Sequence, residues 1–408
     1  VDKRVLVLGG GLLQIPLMIK ARAEGFKVCL ADYLKDPPGK KYCDDFRQIS
    51  TFSVDDNCRY ALEKGINFVM TVGTDQPVLT AAAVSEKLNL PHPITAGQGK
   101  MVTHKLFMKE QMRIKGVPSP KYLIYTDFTE FDLTSLNYPL VMKPADSQGQ
   151  RGIFVLHGRE KPGEVKRLFE ASKGHSRTGT VVIEEYYPGE EITVNTWVKA
   201  GRAFNLLITD RLHFDDTVAL GICKQQRYPS RSARGREEEI DRVVQKLVDA
   251  FGIQDGPLYI QAIAGSRGIQ IVEFGYRIGG GFESETIPRI TGVDILDLYF
   301  KLVTGGENLF RPEIIEEKAG IGSIFFMLAR PGRIAAIKVP DEFKEWGKLF
   351  VRPGAELGEI ENATSRVGCF SIYCNDAEEY RHRLTGFDSG VALFDRDGND
   401  LLIHNIWE

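Results

Sequence analysis

Val5-Leu6-Val7-Leu8 runs straight into Gly9-Gly10-Gly11, and the amphipathic stretch after it continues to Glu24 before Gly25 stops it. An apolar run of strand length that ends in glycines and opens a helix leaves few folds available. Such a strand has to be covered on both faces, which is the situation of a parallel α/β layer. The pattern repeats along the chain. Lys27 to Ala31 reads as a second strand ending at Asp32. Phe68 to Val72 reads as another, broken by Gly73-Thr74-Asp75-Gln76-Pro77 ahead of a further helix. Residues 1–100 are therefore expected to form a Rossmann-like domain. The glycine turn and Asp32 come close to a dinucleotide fingerprint, in which N–H groups at a helix N-terminus hold a pyrophosphate. Gln14 stands where that fingerprint wants Gly or Ala, so a tight turn in a domain that binds something else competes with it. No G-x-x-x-x-G-K-[ST] segment occurs, which excludes a P-loop.

Beyond residue 100 the character changes. Thr103 to Lys115 is a helical pattern stopped by Gly116-Val117-Pro118, and antiparallel-looking strands follow, clearest at Tyr138 to Pro144 and Thr180 to Glu185. Glu238 to Phe251 is amphipathic at helical spacing, and Leu258 to Ala264 with Ile269 to Phe274 forms an expected hairpin. From about residue 311 short strands and Gly/Pro turns indicate a small α+β unit. At 408 residues the chain is too long for one compact core, and it divides naturally at about 100 and 310.

Four segments carry potential chemistry. The first is His104-Lys105-Leu106, leading to Gly116-Val117-Pro118-Ser119-Pro120. The second is Val141-Met142-Lys143-Pro144, then Ser147-Gln148-Gly149-Gln150-Arg151-Gly152. A strand ending in lysine before a small, glycine-rich loop suits a phosphate cover, since glycine admits close backbone approach and lysine adds a point charge. The third is Ile183-Glu184-Glu185-Tyr186-Tyr187-Pro188-Gly189-Glu190-Glu191. It reads either as a solvated turn or as a hinge whose chain atoms meet a purine edge while a carboxylate accepts ribose hydroxyls. The fourth joins Gln261 to Glu273-Phe274-Gly275-Tyr276-Arg277, two polar positions in apolar strands where an unpaired group would be costly. A hairpin brings Gln261 and Glu273 onto one face, where oxygen ligands suit Mg2+; the other reading of Glu273 and Arg277 is a buried ion pair.

In this order, from the N-terminal domain to about residue 310, these segments resemble the ATP-grasp superfamily, in particular the L-amino acid ligase, carbamoyl-phosphate synthetase and biotin carboxylase-like branches. The resemblance implies a mixed α/β and α+β architecture. A Rossmann-like domain (1–100) would precede a two-part ATP-grasp core (101–310) with a lid at about 120–190, and an α+β accessory domain (311–408) would follow. It implies ATP and Mg2+ (with Mn2+ as a substitute) as the groups bound. Lys105, Lys143 and the loop residues Ser147, Gln148, Gly149 and Gly152 would meet the phosphates. Glu184, Glu185 and Tyr187 would meet adenine, and Glu191 ribose. Gln261 and Glu273 would be metal ligands and Arg277 would hold the transferred phosphate, with Lys143 and Lys224 beside it in the catalytic cleft. Asp75, Gly280, Gly281 and Arg366 would line the substrate pocket. One departure is plain: Gly275 stands where the E-x-N-x-R pattern has a metal-binding asparagine, so the number of metal ions is open.

The implied reaction is ADP-forming carbon–nitrogen ligation through an acyl phosphate, joining a small carboxylate to an amine, with an amide or dipeptide as product. The alternatives are a purine-pathway or carboxylase-like ATP-grasp enzyme using formate or bicarbonate, a dinucleotide-dependent oxidoreductase, and a non-catalytic nucleotide-binding protein. A net charge of -3 and a pI near 6.3 give no basic field for nucleic acid. No apolar run approaches the ~20 residues that span a bilayer. Val1 to Val7 enters a strand pattern at once, so no secretory signal is expected. Six cysteines without metal or disulfide spacing fit buried thiols in a reducing compartment, and we expect a cytoplasmic protein with a homodimer as the default assembly.

Overall fold

The computed structural model describes residues 3–146, 152–214 and 221–408. Ser147, Gln148 and Gly149 lie outside the described residues, while Gly152 lies within them at φ 70°. The chain begins with β1 (Arg4–Leu8), α1 (Ile15–Ala23), β2 (Lys27–Asp32), β3 (Asp45–Gln48), α2 (Val54–Lys64), β4 (Phe68–Met70) and α3 (Gln76–Lys87). Its strands pair in parallel in the order β3-β2-β1-β4, the layer the apolar runs require. Helix boundaries follow local chemistry. The Ser53 side chain accepts the Asp56 N–H at the start of α2, and Gly65 ends the helix at φ 60°, where a side chain would strain the backbone.

Helices α4 (Ala96–Thr103) and α5 (Lys105–Lys115) lead into a small four-stranded antiparallel sheet with a helix. It comprises β5 (Tyr122–Tyr125), β6 (Leu140–Pro144), β7 (Phe154–Leu156), α6 (Pro162–Gly174) and β8 (Val181–Glu185), with strand order β5-β8-β6-β7. Leu140, Met142 and Ile183 cluster with Phe169 of α6. Strand alternation therefore turns Val141, Lys143 and Glu184 to the opposite face.

The core sheet follows: β9 (Gly189–Lys199), β10 (Arg202–His213), β11 (Cys223–Tyr228), α7 (Glu237–Phe251), β12 (Gly256–Gly265) and β13 (Gly268–Gly275), then α8 (Glu283–Thr291), α9 (Ile295–Gly305) and β14 (Ile321–Met327). Next come β15 (Gly332–Arg333), β16 (Ala336–Lys338), α10 (Phe343–Trp346), β17 (Gly347–Leu349), β18 (Glu356–Leu357), β19 (Gly368–Cys374), α11 (Ala377–Gly390) and β20 (Ala392–Phe394). The strand order β13-β12-β9-β10-β11-β14-β19-β17 shows that the chain after residue 311 continues the core sheet, with β14 hydrogen-bonded to β11.

Ile240, Val243, Val244, Leu247, Val248 and Phe251 recur every three or four residues along α7 and pack with Val194, Ile260 and Phe274. Each such burial is worth about 1.5–3 kcal/mol. Covering one face of the sheet with α7 leaves the other face, carrying Glu191, Thr193, Thr209, Gln261 and Glu273, for polar work. The N-terminal domain docks through a shared core in which Val7 and Leu17 meet Ile287, Ile295 and Tyr299. The Gly73 N–H donates to the Ile278 carbonyl at 3.1 Å, fastening the loop that carries Asp75 beside the end of β13.

Candidate active site

The link Tyr186–Pro188 joins β8 of the small sheet to β9 of the core sheet, and Lys143 of the first acts electrostatically on Glu273 of the second. α5 contributes lysines one turn apart. Lys105 Nζ lies 3.2 Å from Glu273 Oε2, and Lys109 Nζ lies 3.0 Å from Glu184 Oε1, the same oxygen that Lys143 Nζ reaches at 2.7 Å. Burial disfavours the Glu273 carboxylate, but Lys105 and Lys143 outweigh it and hold its pKa at about 2. Burial likewise opposes the charge on Lys105, and Glu273 reverses this so that its pKa rises.

Lys109 escaped the sequence reading, although its i+4 spacing from Lys105 puts both on one helix face. It is 1% exposed, and burial pulls its pKa down to about 8 against the opposing pull of Glu184. Glu184 is 3% exposed and stays ionised because Lys109 and Lys143 overcome its burial. Breaking a buried pair leaves an uncompensated charge. We therefore expect Lys109→Met to lower the unfolding free energy in urea by about 3 kcal/mol, the low end for such pairs because Lys143 stays with Glu184. An unchanged urea midpoint would show that Lys109 carries no stabilising charge.

In the core sheet, β13 sets Glu273 opposite Gln261 of β12. In the amide orientation that satisfies both neighbours, Gln261 donates to Glu273 Oε1 at 2.6 Å and accepts from Arg211 Nη2 at 3.2 Å. Arg211 Nε also lies 2.6 Å from Glu191 Oε1, and His213 Nε2 lies 2.9 Å from Glu191 Oε2. Burial works against the Glu191 charge, and Arg211 more than offsets it. Arg211 and His213 were also missed; two polar residues alternating along β10 opposite Glu191 were the available signal. The Tyr187 hydroxyl donates to the Gly268 carbonyl at 2.8 Å, and Glu185 Oε1 accepts the Asn137 N–H at 3.0 Å. Both hinge side chains line a cavity of about 250 Å³ together with Ser119, Lys121, Arg267 and Gln270.

Arg277 points into a second cavity with Lys105, Glu273 and Asp75, its Nε paired to Asp75 Oδ1. Burial disfavours its charge, and Asp75 restores and strengthens it. Gly280 and Gly281 are explained by close packing. A Cβ on Gly280 would meet the Gly73 carbonyl at 2.6 Å, and one on Gly281 would stand 2.7 Å from Glu283 Oε1. Glu283 is fully buried, and its carboxylate accepts from the Gly281 N–H (2.6 Å) and Gln226 Nε2 (3.2 Å). Sequence reading had passed over it. The Arg366 guanidinium stacks on Phe326 with 3.8 Å to the ring centre and donates from Nη2 to the Cys223 carbonyl at 2.7 Å. Its Nε is buried without a hydrogen-bond partner among the described residues. Lys224 is half-buried next along β11, with its carbonyl accepting from Trp407 Nε1 at 3.1 Å.

The glycine turn of the N-terminal domain is occupied by its own side chains. Asp32 Oδ2 accepts the Gly10 N–H at 2.7 Å and Gln14 Oε1 accepts the Gly11 N–H at 2.9 Å, so the amides a pyrophosphate would need are taken. Gly39 closes over the turn, its N–H donating to the Gly10 carbonyl at 2.7 Å.

Lysines and carboxylates face one another between a small antiparallel sheet and an antiparallel core sheet, and the segment that forms most of this cleft is similar to an ATP-grasp domain. The chain's residues 103–281 match the family described as phosphoribosylglycinamide synthetase, ATP-grasp (A) domain. Among its relatives is a phosphoribosylamine–glycine ligase of Methanococcus maripaludis, 26% identical over 268 residues that make up 58% of each chain. Another is dapdiamide A synthase of Enterobacter agglomerans, 24% identical over 46% of this chain and 45% of that one. The match therefore spans less than two thirds of these relatives' length. Among solved structures, an L-amino acid ligase from Bacillus licheniformis shares the fold over 97% of this chain and 99% of that one, with a TM-score of 0.80 and 19% identity. Among the described residues no helix is long and apolar enough to cross a membrane.

Proposed function

We propose that this protein is an ATP-dependent, ADP-forming ligase that joins a small carboxylate to an amine through an acyl phosphate, giving an amide or dipeptide. The observation that carries the reading is the convergence of Lys105, Lys143 and Arg277 on the face that presents Glu273 and Gln261. Three cations there match the phosphates of a nucleotide and the charge that develops during phosphoryl transfer. The units proposed from sequence, with divisions at about 100 and 310 and a lid at about 120–190, assign ATP to the cleft between lid and core.

The donor set fits a divalent cation. Glu273 offers carboxylate oxygen, Gln261 would add its amide oxygen on turning from Arg211, and no group of three or more His, Cys, Asp or Glu residues is assembled among the described residues. Magnesium in nucleotide sites commonly keeps to one or two carboxylates and takes its other ligands from phosphates and water. When bound it would neutralise phosphate charge; Mn2+ would substitute. Lys105 and Lys143 orient the phosphates, aided by the loop containing Ser147, Gln148, Gly149 and Gly152. Adenine lies against the hinge of Glu185 and Tyr187, and Glu191 receives ribose. Glu184 acts on the nucleotide mainly by fixing Lys143, since it is already shared with Lys109.

Chemistry then needs two steps. A carboxylate oxygen bonds to the γ-phosphorus while the bond to ADP breaks, with Arg277 beside the transferred group. The amine nitrogen next bonds to the acyl carbon, phosphate leaves, and the nitrogen's proton passes to a base. Buried Glu283 braces the turn at Gly280 and Gly281 by accepting the Gly281 N–H. Arg366, with its unpartnered Nε, and Lys224 face the substrate carboxylate end, and Arg277 is the residue we assign to phosphate transfer.

A purine-pathway ligase is the second reading, favoured by the family match over 103–281. Product analysis with Mg-ATP separates them. ADP and phosphate formed only when a carboxylate and an amine are both present supports ligation, and amino-acid pools versus glycine with phosphoribosylamine tell the two readings apart. AMP and pyrophosphate would overturn both. A cytoplasmic setting and a homodimer complete the proposal, the latter checked by light scattering.

A further inference from the structure

Position 275 breaks the E-x-N-x-R pattern, yet its backbone does not require glycine, because its φ lies outside the left-handed region. What excludes a side chain there is a neighbour: a Cβ on Gly275 would stand 2.5 Å from Asp75 Oδ1 and 3.3 Å from Arg277 Cγ. Resting on the ligase reading above, we propose that Asp75, from the N-terminal domain, supplies the cation-binding oxygen that the pattern otherwise places on residue 275.

Several observations converge on this exchange. Asp75 holds the N-cap position of α3, where aspartate ordinarily accepts from the helix's first N–H groups; here its side chain makes no such bond. The carboxylate turns instead into the cavity shared by Lys105, Glu273 and Arg277. Oδ1 takes Arg277 Nε, and Oδ2 has no hydrogen bond among the described residues. The arrangement is braced, because Gly73 donates to the Ile278 carbonyl and Gly280 packs on the Gly73 carbonyl, so the loop cannot withdraw without losing both contacts. An oxygen lost from the strand has been replaced by one arriving across a domain boundary. Two carboxylates then face a hard cation whose remaining ligands come from nucleotide phosphates and water.

The test is Mn2+ titration of the full chain in the presence of ADP, following the free-ion EPR signal, with metal-free ADP affinity measured in parallel. Asp75→Ala should weaken Mn2+ binding by about tenfold to a hundredfold, the scale seen when groups supporting a metal site are lost. Metal-free ADP binding should change little, and Asp75→Asn, which keeps one oxygen, should fall between. Gly275→Asn alone should also weaken Mn2+ binding, since it collides with Asp75. The double variant Asp75→Ala/Gly275→Asn should recover most of the lost affinity. Wild-type Mn2+ affinity in Asp75→Ala, or a double variant no better than Asp75→Ala, would overturn the exchange while leaving the ligase reading intact. Absence of Mn2+-ADP binding in the wild type would overturn the ligase reading and this inference with it.

Discussion

Glu273→Ala is expected to abolish measurable ADP formation while the protein remains folded. Glu273 is the carboxylate whose pKa Lys105 and Lys143 depress to about 2, so it is ionised throughout the physiological range and faces two of the lysines proposed to bind phosphate. Losing it removes the oxygen donor proposed for the cation. Removal of one such electrostatic contributor costs about a hundredfold to a thousandfold in kcat. The fold should survive because the Glu273 side chain is 36% exposed, so its loss opens no sealed cavity and its partner Lys105 still has Asp75 nearby. The measurement pairs coupled ADP detection with a thermal melt. Normal turnover in a folded Glu273→Ala protein would remove Glu273 from the site.

Lys143→Ala should produce a loss of similar size, about a hundredfold or more in kcat, with a smaller change in stability than Lys109→Met. Both lysines share Glu184 Oε1, but they differ in placement. Lys109 is almost sealed at 1% exposure, whereas Lys143 stands at the end of β6 and acts electrostatically on Glu273. Truncating either lysine leaves Glu184 with the other, so the smaller stability cost expected for Lys143 rests on its greater exposure, 6% against 1%. The expected signature is catalytic loss with near-normal unfolding for Lys143→Ala, and the reverse weighting for Lys109→Met. If steady-state kinetics gave both variants the same ratio of catalytic loss to destabilisation, a single undivided role for the lysine pair would replace the division proposed here.

The division of labour between Lys105 and Lys109 shows why some of the site escaped a sequence reading. Lys105 could be singled out because it precedes a helix and belongs to an ordered set of segments; Lys109 looks like one more lysine on an amphipathic surface. Only the small sheet folding back over α5 buries it against Glu184, 75 residues later in the chain. Arg211 and His213 were missed for the same reason, since their meaning depends on the register that sets β10 beside Glu191. Glu283 follows a glycine run and reads as a helix-start acid until the structure shows it fully buried.

What the sequence determined by itself was everything governed by local period and local chemistry. Apolar runs ending in glycine specified the parallel layer of β1, β2 and β4, and α7 was written in the spacing of Ile240, Val243, Val244 and Leu247. The β12–β13 hairpin was equally legible, because two apolar strands with Gly-containing turn residues between them can pair at little loop-closure cost. Tertiary structure alone decided which charges meet. Pairing β14 with β11 carried the C-terminal segment onto the core sheet, a junction that its short strands do not announce. Docking of the N-terminal domain put Asp75 into the space above Gly275, 200 residues away in sequence. Hydrophobic periodicity reports which face of an element is buried. It carries no information on which distant carboxylate will fill the space beside a glycine, because that depends on how whole domains pack.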